Sequence, residues 1–374
     1  MPTVLSIFSG DLWAGAEVMI FNLLAELHKS GRLHLVALSM NEGTLTQRLR
    51  SLPIETHVIP ESRYTFLQIA IQAIRLFHGQ HVHVIHSHRY KENILGFLLS
   101  LMLRPRLLVS TIHGLPELPR GERAKSDVLM SLDHALLKRR FANVTAVSQD
   151  IRRRLIQEFG LPCEKISVIH NGIRFPDQIP CDPSFSGTSQ RDGTPLRSFH
   201  IGTVGRLVPV KDFGLFLSTA AAIKRRLSNV RFSILGDGPA QDELTRKSID
   251  LGISKSIEFL SSVSDPFPYY RTLDVYLNTS RHEGIPLSVL EAMACKVPVV
   301  AAKVGGIPEI ISDGIEGFLV PGREPADFAM ACLRLLDDNA LRRSVGQLSR
   351  KKIETQFSAA FMSSQYLALY TTQS

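Results

Sequence analysis

Two glutamates eight positions apart lie in the stretch of this sequence that is best able to bind an anionic ligand. The stretch runs from Ser280 to Ala294 and reads SRHEGIPLSVLEAMA. Pro286 suits the first turn of a helix, where its missing N–H costs nothing, and the free N–H groups of such a turn can bind a diphosphate. Glu283 would lie in the loop just before that helix. Glu291, eight positions after Glu283, would lie more than two helical turns farther along the chain.

The two carboxylates could act on the two sides of such an anion site. Carboxylates accept hydrogen bonds from vicinal hydroxyl groups, so Glu283 and Glu291 could hold two hydroxyl-rich groups joined by a diphosphate. The alternative is that Glu283 caps the helix and Glu291 is solvated. The Gly-x-Pro that follows Glu283 and the apolar character of the helix favour the ligand-binding interpretation.

A second stretch, from Thr203 to Phe213, carries two basic residues in the sequence TVGRLVPVKDF. Gly205 lets the backbone approach a ligand closely. Arg206 and Lys211 would place two fixed positive charges where a diphosphate leaving group gains negative charge as the bond to it breaks. The sequence shows no carboxylate cluster of the kind that binds a metal, so these side chains would have to supply the cations. The alternative is a pair of solvated charges on a loop.

Two features of the first half of the chain could also contact a ligand. The loop SGDLWAGAE, from Ser9 to Glu17, lies between a strand and a helix at the phosphate-approach position of a Rossmann unit, although it is not GxGxxG. His113 and Gly114 follow a predicted strand, where the imidazole could donate to a sugar hydroxyl or a phosphate. The alternative for His113 is a hydrogen bond to the backbone at the end of the strand.

Four closely spaced histidines have the look of metal ligands: His81, His83, His86 and His88. Alternation places each close pair on one face of a strand. Because no cysteine or acidic residue stands nearby at ligand spacing, we predict no metal site here. The cofactor prediction for the whole chain is likewise none.

Short β-branched runs alternate with longer amphipathic stretches along the whole chain, which predicts βαβ units and parallel sheets. In the first half the predicted strands are Val4–Phe8, Leu33–Ser39, Glu55–Ile59, Val82–Ser87, Leu107–Ile112, Val144–Val147 and Ile166–His170. In the second half they are Phe199–Val204, Arg231–Leu235, Ile257–Leu260, Val275–Asn278, Val297–Ala301 and Phe318–Val320. Predicted helices include Glu17–His28, Phe66–Phe77 and Gln149–Phe159.

This pattern predicts an α/β protein with two Rossmann-like domains that face each other across a cleft. We place the first domain at residues 1–175, a linker rich in Pro, Asp, Ser and Gly at 176–197, and the second domain at 198–355. Residues 356–374 are predicted to form a helix that packs back on the first domain. Open α/β sheets bind ligands at the carboxyl ends of their strands. The motifs above follow strands, so we expect a site in the cleft.

Composition narrows the choice of partners. The chain has 374 residues and a formal net charge of +8, which favours phosphate-bearing partners. The basic residues are spread over both halves, so we predict no nucleic-acid partner. The four cysteines (Cys163, Cys181, Cys295 and Cys332) have no metal-ligand spacing and indicate reduced thiols.

No stretch of the sequence predicts a membrane span. The longest apolar run, Ile94 to Leu103, is about half the length that a bilayer requires, and the N-terminus lacks the pattern of a signal peptide. We therefore expect a cytoplasmic protein. The basic stretches 138–140 and 152–154 are interpreted as solvated helix faces. The alternative is that region 120–154 docks on anionic lipid at the inner face of a membrane.

Together these motifs resemble those of the family 4 glycosyltransferases, which have the GT-B fold of two facing Rossmann-like domains. The family's E-x7-E motif, EGxPxxxLEAMAxGxPVV, is present from Glu283 to Val300, with Lys296 in place of the usual glycine. Its GRLxxxKxF is present from Gly205 to Phe213. Residues 304–309, 168–172 and 146–148 also fit, so the resemblance covers nearly the whole chain.

The resemblance implies a role for each residue of the predicted site. Arg206 and Lys211 would bind the donor diphosphate, Glu283 the transferred sugar and Glu291 the ribose. Backbone and side-chain contacts to the donor are further implied for Gly205, Gly284, Ile285, Pro286 and Leu287.

Two residues of the first domain are implied as well. Gly15 would line the donor, and His113 would lie against its sugar or phosphate. One departure from the family pattern is that the usual Gly-Gly in this loop is Ala14-Gly15. Ala14 cannot adopt a positive φ cheaply, which bears on the loop geometry.

The implied activity is that of a retaining, metal-independent hexosyltransferase. The donor's anomeric bond would loosen while Arg206 and Lys211 hold the diphosphate, and an acceptor hydroxyl would attack from the same face. The acceptor would be a saccharide or a lipid-linked saccharide, in cell-surface polysaccharide or glycolipid synthesis. Two alternatives stay open: a GT-B-like sugar-nucleotide epimerase, and a non-catalytic protein that binds nucleotides or glycans.

Overall fold

The computed structural model describes residues 1–114, 123–175 and 198–371, with the backbone alone for 123–128. The predicted linker at 176–197, Cys181, the start of the basic region at 120–122 and the last three residues of the predicted C-terminal helix lie outside the described residues. The chain divides into two compact units. The first comprises Met1–Arg174 and Ala359–Ser374, and the second comprises Phe175–Ser358.

The N-terminal unit is a seven-stranded sheet in which every neighbouring pair is parallel. Its strands are β1 (Thr3–Phe8), β2 (His34–Ser39), β3 (Glu55–Val58), β4 (Val84–Ser87), β5 (Leu107–Ile112), β6 (Asn143–Ala146) and β7 (Ile166–Val168). Its helices are α1 (Gly15–Lys29), α2 (Thr44–Arg50), α3 (Phe66–Phe77), α4 (Tyr90–Leu103), α5 (Arg123–Arg139) and α6 (Gln149–Gln157). The order across the sheet is β3-β2-β1-β4-β5-β6-β7.

The second unit is a six-stranded sheet, and its neighbouring strands are also parallel. Its strands are β8 (Phe199–Val204), β9 (Val230–Leu235), β10 (Ile257–Leu260), β11 (Val275–Asn278), β12 (Val299–Ala302) and β13 (Gly317–Val320). Its helices are α7 (Phe213–Lys224), α8 (Gln241–Asp250), α9 (Phe267–Tyr270), α10 (Leu287–Ala294), α11 (Ile307–Ile310), α12 (Pro325–Asp337) and α13 (Asn339–Gln356). The order is β10-β9-β8-β11-β12-β13.

These sheets confirm the predicted fold of two Rossmann-like domains. The strands form where the sequence has near-continuous apolar runs, because strands covered by helices on both faces of a sheet bury every side chain. In β1, for example, every residue after Thr3 is buried. Each unit has its own core, centred on residues such as Ile7 and Leu95 in the first and Phe216 and Val300 in the second.

The strand order determines where each sheet can bind a ligand. Both sheets reverse their winding between the first strand and the fourth, that is, between β1 and β4 and between β8 and β11. Loops that leave neighbouring strands in opposite directions open a crevice at this switch point. The loop after β8 begins at Gly205, and the loop after β11 begins at Thr279.

The last helix, α14 (Ala359–Thr371), belongs to the N-terminal unit. It packs against α1, and the Ala359 backbone N–H donates to the Ile173 carbonyl at 2.7 Å. Its two buried tyrosines reach into the sheet: the Tyr366 hydroxyl lies 2.8 Å from Thr111 Oγ1, and the Tyr370 hydroxyl lies 2.6 Å from His86 Nδ1. This segment therefore fills part of the core of the first unit.

The described helices include none that is both long enough and apolar enough to cross a membrane.

Candidate active site

The centre of the site in the second unit is an ion pair between Lys211 and Glu283. Lys211 ends a short 3₁₀ turn (Pro209–Lys211) after β8, and Glu283 lies in the loop between β11 and α10. Lys211 Nζ lies 2.6 Å from Glu283 Oε1, and the Ser280 hydroxyl donates to the same oxygen at 2.6 Å. The pair is largely buried, with 22% of the Lys211 side chain and 10% of the Glu283 side chain exposed. The structure thus brings together two residues that the sequence analysis assigned to separate motifs.

Backbone contacts fix the two loops that carry this pair. The Thr279 hydroxyl donates to the carbonyl groups of Lys211 and Asp212, at 3.2 and 3.0 Å. The Arg281 backbone N–H donates to the Val210 carbonyl at 2.7 Å. Because the contacts cross between β8 and β11, the Lys211 ammonium and the Glu283 carboxylate are held in register at the switch point.

Arg323 also joins these two loops, and the sequence analysis did not find it. Its guanidinium donates to the Ser280 carbonyl at 2.8 Å, to the Thr279 carbonyl at 2.6 Å and to Asp212 Oδ2 at 2.6 Å. Asp212 has a left-handed backbone (φ 46°), and its side chain caps the N-terminus of α7. A residue that follows β13 and lies more than 100 positions from Asp212 gives no local signal of this contact.

Two glycines that the sequence analysis did not single out pack against the site loops. Gly305 has φ +53°, and a Cβ there would lie 1.9 Å from the Glu283 carbonyl oxygen. The next residue, Gly306, donates its N–H to that same carbonyl at 3.0 Å. Gly236 has φ +149°, and a Cβ there would lie 2.0 Å from the Gly205 carbonyl oxygen. Only glycine allows these close approaches, which fix the backbones of Glu283 and Gly205.

The helix that follows Glu283 begins at Leu287, and Pro286 is its N-cap rather than its first residue. Proline supplies no side-chain acceptor, and the cap makes no side-chain hydrogen bond. The start of α10 thus keeps backbone N–H groups that the helix itself does not bond. Gly284, Ile285, Pro286 and Leu287 are all buried. They therefore form the backbone of the site rather than an exposed surface.

Arg206 differs from the other cation in its surroundings. It directly follows Gly205 at the end of β8, its side chain is exposed, and it makes no ion pair with the residues that the structure describes. A guanidinium in this position is available to an external anion. The structure thus places one engaged cation, Lys211, and one open cation, Arg206, on the same loop.

Glu291 lies on α10 and has its own hydrogen-bond partner. The Tyr270 hydroxyl donates to Glu291 Oε2 at 2.8 Å. Burial raises the pKa of the Glu291 carboxyl to about 7, although the hydrogen bond from Tyr270 acts in the opposite direction. Glu291 is therefore a partly buried, hydrogen-bonded carboxyl rather than a free surface group.

In the N-terminal unit, Gly15 is the first residue of α1 and Ala14 is its N-cap. Ala14 has an extended backbone (φ −134°), so this conformation does not require the usual glycine. The positive φ of the loop is at Gly10 instead (φ +78°). A Cβ on Gly15 would meet no described atom within 4 Å. An alanine at position 14, where the family usually has glycine, therefore requires no unfavourable backbone conformation.

Two charged residues stand beside this loop. Glu17, in the first turn of α1, is 2% exposed and forms an ion pair with Arg89, which directly precedes α4. Arg89 also lies 3.7 Å from Asp11. The positive charge at the switch point of the first sheet is thus balanced by two carboxylates.

His113 follows β5 and contacts another histidine, not the backbone. Its Nε2 lies 3.2 Å from His88 Nδ1, and the two rings stack with 5.4 Å between centroids. Its Nδ1 is buried and has no hydrogen-bond partner among the described residues. Burial lowers the pKa of His113 to about 3, so the ring is neutral at physiological pH.

The histidine run at 81–88 does not act as one cluster. His83 accepts a hydrogen bond from the Thr3 backbone N–H, and His86 has both ring nitrogens within bonding distance of hydroxyl groups. Within the described ranges, no three His, Cys, Asp or Glu side chains come together as metal ligands would.

Each of the two units matches a family of glycosyltransferases. Residues 13–175 match the family described as Glycosyltransferase Family 4, and residues 198–338 match Glycosyl transferases group 1. A D-inositol 3-phosphate glycosyltransferase of Corynebacterium efficiens is 31% identical over 305 residues, which are 77% of this chain and 70% of that protein. The capsular polysaccharide biosynthesis glycosyltransferase CapM of Staphylococcus aureus is 24% identical over 328 residues, 84% of each chain.

A solved structure of HepE from Anabaena, in complex with UDP-glucose, superposes with a TM-score of 0.82 over 100% of both chains at 21% identity, which shows the same fold. Together with the matched motifs, the relatives and this fold identify the chain as a member of the family 4 glycosyltransferases, with the GT-B fold.

Proposed function

We propose that this glycosyltransferase is a retaining, metal-independent enzyme that transfers a hexosyl group from a nucleotide diphosphate sugar to a hydroxyl of a saccharide. The observation that carries the proposal is the Lys211–Glu283 ion pair at the β8/β11 switch point, beside the open cation Arg206 and the start of α10. These groups combine positive charges for a diphosphate with a fixed carboxylate for a sugar. The HepE structure named with UDP-glucose supports a donor of this class.

We propose a role for each residue, and the geometry of the second unit supports those of Arg206, Lys211 and Glu283. Arg206, Lys211 and the N–H groups at the start of α10 bind the diphosphate, and Glu283 binds the transferred sugar. Glu291 binds the ribose, because a carboxylate held in place by Tyr270 presents its other oxygen to vicinal hydroxyls. As the family resemblance implies, we assign Gly15 of the N-terminal unit to the donor and His113 to its sugar or phosphate.

The bonding of Glu283 supports retention without a covalent glycosyl-enzyme. Its Oε1 accepts hydrogen bonds from Lys211 and Ser280, and the charge of Lys211 lowers the nucleophilicity of the whole carboxylate. Its negative charge instead stabilises the positive charge that develops on the sugar ring. The acceptor hydroxyl then attacks from the face that the diphosphate leaves, and a phosphate oxygen takes the proton of that hydroxyl.

We propose a neutral saccharide or lipid-linked saccharide as the acceptor, in cell-surface polysaccharide or glycolipid synthesis. The relative named CapM supports this class. So does the charge at the switch point of the first sheet, where Glu17 and Asp11 neutralise Arg89 and so weaken any attraction for a phosphorylated acceptor. The relatives named for D-inositol 3-phosphate provide the contrasting acceptor for a test.

The experiment that tests the proposal uses the full chain. UDP- and GDP-linked hexoses are first screened by thermal shift, since a ligand at about 100 times its Kd adds about 2.7 kcal/mol to stability. The donor found is then incubated with a neutral saccharide or with an inositol phosphate, and the anomeric configuration of the product is read by NMR. Inversion at the anomeric carbon, or a shift with no nucleotide sugar, would contradict the proposal.

Peripheral contact with anionic lipid remains a separate prediction. Lys138 and Arg139 are the last two residues of α5, Arg140 follows them before β6, and all three are exposed. In a parallel sheet this is the edge where strands begin, opposite the edge that carries His113. A membrane bound through these three residues would therefore meet the edge of the first sheet that does not carry the proposed site residues.

Activity is expected to survive excess EDTA, because Arg206 and Lys211 can neutralise the diphosphate without a metal ion. The measurement is release of nucleoside diphosphate after dialysis against the chelator, compared with the same sample after Mg²⁺ or Mn²⁺ is restored. Loss of turnover with EDTA and its recovery with either metal would overturn metal independence.

Affinity for a nucleotide sugar is expected to rise with pH through about 7 and then to level off. The raised pKa of Glu291 leaves this carboxyl partly protonated at neutral pH, and the ionised form is the better acceptor for ribose hydroxyls. Binding therefore favours the ionised form and releases a proton. Calorimetry in two buffers of different ionisation enthalpy measures both effects, and Glu291→Gln should abolish them. A profile that is flat in the parent enzyme would remove Glu291 from the ribose site.

Gly15→Ala is expected to lower turnover without lowering thermal stability. The added methyl group meets no described atom within 4 Å, and alanine favours a helix over glycine by up to about 1 kcal/mol. Any loss of activity would thus report that a ligand approaches this backbone closely. Equal turnover in the two proteins would show that the donor does not contact Gly15.

A further inference from the structure

Arg323 lies in the loop between β13 and α12, and its side chain binds two loops that follow other strands of the second sheet. One terminal nitrogen donates to the Ser280 carbonyl at 2.8 Å. The other donates to the Thr279 carbonyl at 2.6 Å and to Asp212 Oδ2 at 2.6 Å. In the sheet, β12 lies between β11 and β13. A single guanidinium thus joins the loops that follow β8, β11 and β13.

The two carbonyl contacts hold the part of the chain that fixes Glu283. The Ser280 hydroxyl donates to Glu283 Oε1 at 2.6 Å, and the Ser280 backbone N–H donates to Asn278 Oδ1 at 3.2 Å. Thr279 and Ser280 are both buried. Because Arg323 binds the carbonyl groups of these two residues, it fixes the orientation of the backbone from which the Ser280 hydroxyl reaches the carboxylate.

A second route leads from Arg323 through Asp212 to Lys211. Asp212 has a left-handed backbone with φ 46°, and its Oδ1 accepts a hydrogen bond from the Leu215 N–H at 3.3 Å. This backbone conformation is unfavourable for a residue with a Cβ and persists where other contacts hold it. Arg323 supplies such a contact at Oδ2. Lys211 directly precedes Asp212, so the direction in which its side chain leaves the loop depends on this turn.

The contact with Arg323 also neutralises Asp212, which is the carboxylate next to Lys211 in the sequence. Asp212 Oδ2 lies 2.6 Å from Arg323 and 3.1 Å from Arg281. Two guanidinium groups thus share this carboxylate, while Lys211 Nζ pairs with Glu283 Oε1 at 2.6 Å. Arg323 therefore acts on both members of the Lys211–Glu283 pair, although the structure describes no contact between it and either side chain.

We propose that Arg323 is a positioning residue that holds the Lys211–Glu283 ion pair in the geometry that glycosyl transfer requires. Its effect reaches Glu283 through the two bound carbonyl groups and reaches Lys211 through Asp212. A displacement of about 1 Å at a reacting site can lower turnover by about 10²-fold. The dependence of turnover on Arg323 rests on the proposed function of the site, whereas the dependence of the two loops on Arg323 does not.

The effect on the loops can be measured in the full chain without any ligand, at the backbone N–H of Arg281. This N–H donates to the Val210 carbonyl at 2.7 Å and so joins the loop after β11 to the loop after β8. Its hydrogen exchange reports local opening of these loops. In Arg323→Met we expect this exchange to be about 10- to 100-fold faster, because hydrogen bonds from a charged group to both loops are lost.

The amide groups of β9 are the internal reference for this experiment, since they belong to the same unit and lie in its sheet. They should exchange in Arg323→Met as they do in the parent. Unchanged exchange at Arg281 would overturn the proposal. So would an equal acceleration in β9, because the substitution would then destabilise the whole unit rather than the two loops.

Kinetics of Arg323→Met test the dependence of turnover. We expect kcat to fall by about 10²-fold. Affinity for the nucleoside diphosphate should fall less than in Lys211→Met, because the ammonium is displaced rather than removed. Arg343→Met is the matched control, since Arg343 is an exposed arginine on α13 that makes no ion pair among the described residues, and it should turn over like the parent. Parent turnover in Arg323→Met would overturn the proposal.

Double variants show whether the effect passes through Glu283. Once the Glu283 charge is removed, its position matters little, so Arg323→Met should lower kcat by at most about threefold in the Glu283→Gln background. In the Glu291→Gln background it should cause the same loss as in the parent, because the partner of Glu291 is Tyr270. Equal losses in both backgrounds would contradict the positioning role. If Glu283→Gln itself turns over like the parent while Arg281 exchanges faster in Arg323→Met, the proposed role of Glu283 is wrong and the effect on the loops stands.

Arg323→Lys separates the charge of Arg323 from its planar shape. Lysine keeps a positive charge for Asp212 but presents it on one nitrogen, whereas arginine binds through two nitrogens in a rigid fork. We expect Arg323→Lys to keep the parent's thermal stability while its kcat stays about tenfold or more below that of the parent. If Arg323→Met does not fold, exchange at Arg281 and turnover are measured in Arg323→Lys. Parent turnover in Arg323→Lys would overturn the proposal.

Discussion

Replacing Glu283 with glutamine is expected to lower turnover by about 10²- to 10³-fold while nucleotide affinity changes little. Lys211 and Ser280 hold the Glu283 carboxylate in place before the donor arrives. Its negative charge can therefore act on the sugar without reorganisation as positive charge develops there. Glutamine keeps the shape of the side chain and removes the charge, so the loss falls on the transition state rather than on binding of the nucleotide.

The measurements for Glu283→Gln are donor-hydrolysis or transfer kinetics and calorimetric titration of the nucleoside diphosphate. Glu243→Gln is the matched control, since Glu243 is an exposed glutamate on α8 that makes no ion pair among the described residues, and it should behave like the parent. Turnover of Glu283→Gln equal to that of the control would remove Glu283 from the active site.

Replacing Lys211 with methionine is expected to weaken the binding of a nucleoside diphosphate by about 2–4 kcal/mol and to weaken that of the nucleoside much less. The ammonium of Lys211 lies between its own loop and Glu283 and is only partly exposed. Methionine keeps most of the stem and removes the charge. The buried Glu283 carboxylate then faces the incoming diphosphate without a neighbouring cation, so repulsion adds to the loss.

Calorimetry with the nucleoside diphosphate and with the nucleoside tests this result, and Lys255→Met at an exposed position is the control. The double variant Lys211→Met/Glu283→Gln sharpens the test. Because it removes both charges of one pair, its loss of diphosphate affinity should be smaller than that of Lys211→Met alone. Equal weakening of nucleoside and nucleoside diphosphate by Lys211→Met would show that Lys211 does not bind the phosphates.

The strands of both sheets could be predicted from the sequence, because parallel strands that are buried on two faces appear as continuous apolar runs. The predicted strands Leu107–Ile112, Phe199–Val204, Ile257–Leu260 and Val275–Asn278 agree with the structure to the residue. The other predicted strands shift by one or two residues at their ends. Strand ends depend on where backbone pairing stops, which the apolar pattern does not encode.

The contacts within the site were harder to predict from the sequence, because they join distant parts of the chain. Lys211 and Glu283 were each found through a local motif, but their ion pair spans 72 positions and depends on β8 lying beside β11. Arg323 was missed and Gly305, which lies in a segment that fits the family pattern, was given no role, since their contacts exist only once the loops after β8, β11, β12 and β13 converge.

The two departures from the family pattern, at positions 14 and 296, differ in whether the usual glycine is needed for a positive φ. Ala14 replaces a glycine at a position that the structure keeps extended. Lys296, by contrast, replaces a glycine at a position where the structure does have a positive φ, of 61°. A positive φ costs a residue with a Cβ about 1–2 kcal/mol. The preference for glycine at position 296 thus has a conformational reason, whereas the one at position 14 does not arise from the backbone.

The return of α14 to the N-terminal unit has a consequence for the order in which the chain acquires structure on the ribosome. Domains generally fold as they emerge, the N-terminal one first. Here Tyr366 and Tyr370 cap hydroxyl and imidazole groups inside the first sheet, yet they are synthesised after the whole second unit. The first unit must therefore wait with Thr111 and His86 uncovered until synthesis is almost finished. During that interval the nascent chain exposes part of a core, and the second unit, which is continuous in sequence, is the one that can complete its fold first.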